Sequence, residues 1–209
     1  MYWVKLIGGS GKKNKSHVFS INLAYRKLRG RSEGVWSGMF CWFWKIKVLP
    51  SAHVTAWRVL ENKIVTKANL LTREIVIESA LCCLCGVKLK ETNHMFFDCR
   101  IVWLVWNLCF KWLGIFSVTH GSYSHFLQFG MCNVSESVNL GMGSIWIVVV
   151  SEIWSHKKMI LFKGGGLDYS EIFSLTQLKV WSWITYKFSY VCFSYSDWCL
   201  VPLDCLISL

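Results

Sequence analysis

Apolar positions come in short, interrupted runs over the first hundred residues and crowd into long ones afterwards. Residues 1–15 read as a loop-like lead, with Gly8, Gly9 and Gly11 among four lysines. Phe19, Ser20 and Ile21 read as a short strand, residues 23–28 as a helical turn or two, and residues 29–38 as a polar linker. Residues 42–48 are aromatic and basic, and Pro50 breaks that run. Val54, Trp57 and Leu60 recur every three residues, with Arg58 and Glu61 on the polar side. That period predicts an amphipathic helix of about three turns. Thr66 can cap a second helix over 67–73. Residues 101–116 are apolar on every side and predict a buried helix that Gly114 ends. Residues 117–139 scatter Ser, Gly, Asn and His and read as a loop. Residues 144–162 predict another helix, apolar early and basic late, closed by Gly164, Gly165 and Gly166. Residues 170–187 predict a last helix, facing inward with Ile172, Leu175, Leu178 and either Trp181 or Trp183. The tail, 188–209, is aromatic without a clear period, which points to poor order. No internal repeat is visible, and the fold class is mainly α, with a short N-terminal strand and a helical C-terminal extension.

Composition sharpens this picture. The chain has 209 residues, 54% hydrophobic and only 17% charged, which excludes a largely disordered chain. Thirteen Trp, thirteen Phe and a mean hydropathy of +0.38 are greasy enough to raise a membrane reading. A spanning helix needs about 20 mostly apolar residues. Lys111 interrupts 101–118, 140–150 is too short, and 188–209 contains Asp197, Pro202 and Asp204. A membrane-associated protein with these three segments in or on the bilayer is therefore the second reading.

Charge is unevenly placed. Residues 1–100 carry 17 Lys+Arg against 6 Asp+Glu, and residues 101–209 carry 6 against 6. The net charge of +11 thus sits in the first half. A basic segment suits an anionic partner, either nucleic acid or an acidic membrane surface, or else is a solvated face. The nucleic-acid candidates are Lys12, Lys13, Lys15, Arg26, Lys27, Arg29, Arg31, Lys45, Lys47, Arg58, Lys88, Lys90 and Arg100. Trp42, Trp44 and Trp57 lie among them and either stack bases or fill the core. No secretory pattern opens the chain, and ten Cys in that setting argue for reduced thiols or metal binding in the nucleus or cytoplasm.

The chemistry concentrates in Cys82-Cys83-Leu84-Cys85-Gly86 and His94-Met95-Phe96-Phe97-Asp98-Cys99. Cys82 and Cys85 make C-x2-C, and His94 and Cys99 make H-x4-C. Two intervening residues let a tight turn aim both thiolates at one ion, and Gly86 suits its backbone. Three thiolates and an imidazole complete a closed tetrahedral zinc site, structural because no position is left for a catalytic water. The alternative is buried Cys beside a satisfied His. Cys83 competes with Cys82, but it leaves one residue before Cys85 and suits a knuckle less well. His120, His125 and Cys132 are irregularly spaced and read as surface or core residues.

These residues, in order, resemble the zinc-binding domain that follows the polymerase in plant LINE-type (non-LTR) reverse transcriptases. An aromatic-basic lead ends in proline at Phe43-Trp44-Lys45-Ile46-Lys47-Val48-Leu49-Pro50. A helix carries Trp57-Arg58. A capped segment runs from Asn62 through Thr66 to Asn69-Leu70, and the Cys82–Gly86 knuckle and the His94–Cys99 run follow. Phe19-Ser20-Ile21 with Ala24-Tyr25 resembles the family's opening. Trp106, Trp112-Leu113-Gly114-Ile115, Ile153-Trp154-Ser155 and Trp181-Ser182-Trp183 resemble its continuation. Val65 and Cys83 stand where the family usually has Pro, a sign of drift.

The resemblance implies one structural Zn2+ and a zinc-binding domain over 17–113. A basic flexible lead (1–16) precedes it, and a linker (114–140), a helical extension (141–187) and the aromatic tail follow. It also implies RNA or DNA as a partner of the basic half, a reverse-transcriptase core supplied elsewhere, and no small-molecule substrate. The chain then reads as a fragment of a retrotransposon polyprotein. A decayed element copy without function is the third reading. No enzyme is expected. No Asp-Asp dipeptide occurs, and Asp98, Asp168, Asp197 and Asp204 are widely scattered. Gly164–Gly166 lacks the following G-K-[ST] of a phosphate loop.

Overall fold

The computed structural model describes residues 35–76, 81–88, 91–116, 121–130, 135–164, 166–188 and 190–209. The expected lead, the strand at 19–21 and the turn at 23–28 lie outside them. The chain divides into two compact units, Met1–Trp42 and Phe43–Leu209. Helix α1 (Val35–Lys45) crosses that division, so part of the expected polar linker is helical. In the second unit follow α2 (Pro50–Leu60), α3 (Lys67–Leu71), a π-helical turn (His94–Asp98), α4 (Arg100–Leu113) and α5 (Ser122–Gly130). Then come α6 (Glu136–Lys163), α7 (Tyr169–Lys187), α8 (Tyr195–Leu200) and α9 (Pro202–Ile207). The protein is mostly helical, as the sequence predicted, and no strand occurs among the described residues.

Pro50 opens α2 rather than merely breaking what precedes it, because proline's fixed φ suits a first helical position. The inward face of α2 differs from the expected one. Ala52, His53, Ala56, Val59 and Leu60 are buried, whereas Val54 is 40% exposed. Small alanines let α2 lie against α6, so the closest-packed face is not the greasiest one. Thr66 caps α3 as predicted, accepting the Asn69 N–H at 3.0 Å. Gly114 ends α4 in the left-handed conformation (φ 62°). Its N–H reaches the Lys111 carbonyl and that of Ile115 reaches Phe110, the paired bonds of a Schellman cap. Helix α4 is not buried all round, since Trp103 is 45% exposed.

The expected loop at 117–139 contains α5, which buries His125, Phe126 and Phe129 and packs on α6. The Trp146 indole donates to His125 Nδ1 at 2.8 Å, so this histidine is a core residue. Helix α6 begins eight residues before the expected start, capped by Ser135. Within the early part of α6, Gly141 is a packing device. A Cβ there would overlap the Leu206 side chain of α9. All of residues 141–150 are buried, and α6 is the central helix, packed by α2, α5, α7 and α9. Helix α7, capped by Asp168, buries Ile172, Thr176, Val180 and Ile184 at four-residue intervals, while the expected Leu178 is exposed.

The tail folds into two short helices. Ser194 and Asp197 form a capping box at the start of α8, and Pro202 opens α9. Trp198 is fully buried, donates to the Gln177 carbonyl at 2.9 Å and accepts from the Trp112 indole at 3.2 Å. Six-residue helices are too short for a period to show in sequence.

Among the described residues α6 is the one helix long and apolar enough to cross a membrane, and most of its apolar stretch is buried within the protein. The segment 140–150 lies inside it. Helix α4, within 101–118, has 14 residues and spans about 21 Å against a hydrocarbon core of about 30 Å. The segment 188–209 holds α8 and α9, six residues each.

Candidate metal centre and basic face

The first two candidate ligands sit on a turn that the backbone closes on itself. The Gly86 N–H donates to the Cys82 carbonyl at 2.9 Å, with Gly86 at φ 68°. The Cys82 N–H donates to the Lys88 carbonyl at 2.8 Å, tying the two sides of the knuckle. Positive φ is readily open to glycine, which accounts for Gly86 directly after Cys85.

The second pair sits on the π-helical turn. The Cys99 N–H donates to the His94 carbonyl at 2.9 Å, a five-residue closure that matches the H-x4-C spacing. Cys99 is also the N-cap residue of α4, so its sulfur lies at the positive end of that helix. Met95, Phe96 and Phe97, between the two ligands, are fully buried and anchor the turn in the core. Lys157, itself fully buried on α6, donates to the Met95 carbonyl and lies 5.4 Å from the Phe96 ring centroid.

Together these elements bring the ligand atoms of Cys82, Cys85, His94 and Cys99 within 4.8 Å of one another. Cys85 Sγ and His94 Nε2 are 3.2 Å apart. An ion held tetrahedrally by sulfur at about 2.3 Å sets neighbouring sulfurs about 3.8 Å apart, so the cluster fits one with little movement. Three sulfurs and one imidazole suit zinc among the common divalent ions. Cys82, His94 and Cys99 are buried and Cys85 is partly so, which makes the site closed.

Electrostatics within the cluster favour a thiolate. The Cys83 thiol, then that of Cys99, donate to Cys82 and hold it well below the ordinary thiol range; the Leu84 and Cys85 amides act in the same direction, against burial. Cys99, as the proton donor to Cys82, is pushed up, with burial adding to it. Cys83, the rival for the first position, is exposed and outside the cluster.

A polar lock braces the site from the N-terminal side. Asn69 Nδ2 donates to the carbonyls of Ile64 and Asn62 at 2.8 and 2.9 Å. Asn62 takes a left-handed conformation (φ 50°) and accepts from Thr92, two residues before His94, at 2.5 Å. The capped segment 62–70 was legible in sequence, but its link to the metal loop was not. Nor did any sequence pattern single out Lys157 from the basic end of its helix, where it is fully buried.

The basic candidates separate. Lys12, Lys13, Lys15, Arg26, Lys27, Arg29, Arg31 and Lys90 lie outside the described residues. Lys45, Lys47, Arg58, Lys88 and Arg100 are exposed. Lys45 and Lys47 line one cleft, joined there by Lys187 from the neutral half of the chain. Arg58, Lys88 and Arg100 stand on other elements. Trp44 is 49% exposed and stacks on His53 at 4.6 Å, while Trp57 is half-buried and carries Lys63 over its ring. Neither belongs to the buried core.

Residues 19–106 match the family model described as zinc-binding in reverse transcriptase. The matched segment contains all four cluster residues and ends within α4. No polymerase catalytic domain is matched. No curated protein matches the chain. No solved structure matches it either.

Proposed function

We propose that this protein is a reverse-transcriptase-associated, zinc-stapled module that binds nucleic acid and has no polymerase activity of its own. The observation that carries the reading is the convergence of Cys82, Cys85, His94 and Cys99 within the segment matching the reverse-transcriptase zinc-binding family. These four residues would hold one zinc ion, whose chemistry is structural: it fixes the knuckle to the start of α4 and leaves no position for a reacting water. The basic first half would supply the contact with RNA or DNA, through phosphate neutralisation. The ordered motifs from Phe43 to Cys99 support a LINE-type element of plant origin as the parent, with the polymerase supplied by another part of the polyprotein. The drift at Val65 and Cys83 fits a copy that has left its parent.

Metal analysis of the purified chain tests this. One zinc per chain is expected, lost in both Cys82→Ser and His94→Ala. The loaded chain is then expected to bind RNA with an affinity that falls steeply with salt. A folded chain without zinc would reduce the reading to ancestry.

A further inference from the structure

The protein supports the four residues of the metal cluster unequally. The amides of Leu84 and Cys85 donate to the Cys82 sulfur, and those of Ile101 and Val102, at the start of α4, donate to the Cys99 sulfur. Bonds of this kind hold a thiolate and fix where it points. His94 has no such support. Its Nε2 faces the cluster, 3.2 Å from Cys85 Sγ. Its Nδ1 is buried beyond the reach of solvent and has no hydrogen-bond partner among the described residues. A histidine that ligates through Nε2 carries its proton on Nδ1, and metal-bound histidines almost always donate that N–H to a carboxylate, a carbonyl or a water. Here the proton would meet no acceptor, which costs free energy whenever the imidazole ligates. The group that would orient the ring and raise its basicity is missing as well.

The demand for the imidazole depends on the ion. Zinc in a structural site takes four ligands, so it needs His94 beside the three sulfurs. A softer ion draws its binding from thiolates. Cys82, Cys85 and Cys99 supply three of these within 4.8 Å of one another. We propose that Cys82, Cys85 and Cys99 form a three-thiolate site for a thiophilic metal ion, from which His94 is released. His94 is then required for zinc and dispensable for the softer ion. This division rests on the metal-centre reading above and ranks its ligands.

The test is competition between the full chain and a chromophoric chelator for Zn2+ and Cd2+ in turn, at one equivalent of metal in oxygen-free, reducing buffer. Zinc is expected to be lost in His94→Ala. Cadmium binding in that variant is expected to weaken by less than about tenfold, the least that losing even a supporting group usually costs, and in Cys99→Ser by more than about a hundredfold. The sulfur-to-cadmium charge-transfer absorbance, which reports thiolates, should be as strong in His94→Ala as in the parent. His94→Phe keeps the ring's bulk without a ligating nitrogen and should behave as His94→Ala does. Cys192→Ser, an exposed cysteine outside the cluster, should match the parent. Thermal melts of the cadmium-loaded chains check that each is folded. Equal cadmium losses in His94→Phe and Cys99→Ser overturn the proposal, because the imidazole is then an equal ligand. Cadmium binding that survives His94→Ala but not Cys83→Ser/His94→Ala also overturns it, because Cys83 then replaces the imidazole. A parent chain that takes up neither metal overturns the metal centre itself and this inference with it.

Discussion

Thr92 Oγ1 donates to Asn62 Oδ1 at 2.5 Å across thirty residues of chain, joining the capped segment before α3 to the loop that carries His94. Asn69 holds the Asn62 side of this link by its two bonds to the carbonyls of Asn62 and Ile64. Both bonds vanish in Asn69→Ala, which should lower stability by about 1–3 kcal/mol in denaturant melts of the metal-loaded chain. Thr92→Val, removing one bond at nearly constant volume, should lower it by about 1 kcal/mol. Unchanged midpoints in both would mean that the lock is solvated and carries no stability.

Lys157 joins the extension to the metal centre in the same way from the other side. Lys157→Ala leaves the Met95 carbonyl without this donor and opens a void beside Phe96, a combined loss of about 3–5 kcal/mol. Lys157→Met fills the void and lacks the donor, so its loss should be smaller. If the two variants melt alike, packing contributes nothing at this position.

Gly141 and Leu206 form a tight helix contact. Gly141→Ala should destabilise by about 1–2 kcal/mol, overpacking outweighing the gain in helix propensity. Leu206→Ala should cost about 2–5 kcal/mol as a cavity. The double variant should be more stable than the sum of the two losses predicts, because alanine at 141 then occupies space that Leu206 gave up. Strict additivity in the double-mutant cycle would show that the two side chains do not compete for that space.

Removal of the metal should act locally first. With a chelator, amide exchange should rise across residues 82–99 and into the start of α4, where the knuckle and the π-helical turn depend on the ligands. Residues 145–150 of α6 should stay protected, since their burial comes from α2, α5 and α7. Equal loss of protection in both regions would make the metal a condition for the whole fold.

Two carboxylates give the C-terminal helices a pH dependence. Asp168 and Asp197 are held below the ordinary carboxylate range, each chiefly by a serine hydroxyl, Ser170 and Ser194 respectively, with backbone N–H donors adding to it. A lowered folded-state value means that both caps contribute fully above the usual aspartate range. The contribution is lost as pH falls through the lowered values. Denaturant midpoints should therefore drop on acidification, and less steeply in Asp168→Asn/Asp197→Asn. An identical pH profile in that variant would show that the two caps carry none of the dependence.

Much of the helical layout was legible. Thr66, Gly114 and Gly164 mark helix ends by local backbone chemistry, and each does so in the structure. The clustering of the four candidate ligands was legible because a knuckle and a π-turn are short loops whose spacing is a property of the chain itself. Which faces turn inward was less legible. Val54 and Leu178 were expected inside and are exposed, while Ala52, Ala56 and Thr176 are buried. Close approach between helices selects small and shape-matched side chains, and hydropathy alone does not record it.

The sequence by itself determined the helical class, the helix ends at Thr66, Gly114 and Gly164, the candidate metal-ligand set and the placement of net charge in the first half. Each of these is written in residues near one another along the chain. The tertiary structure decided that residues 122–130 and 195–207 are helices. It also decided that Gly141 is a close helix contact, that Lys157 turns inward to Met95, and that Lys187 lines the same cleft as Lys47. Those outcomes depend on partners distant in sequence, whose burial and hydrogen bonds outweigh the weak local preferences of the segments concerned.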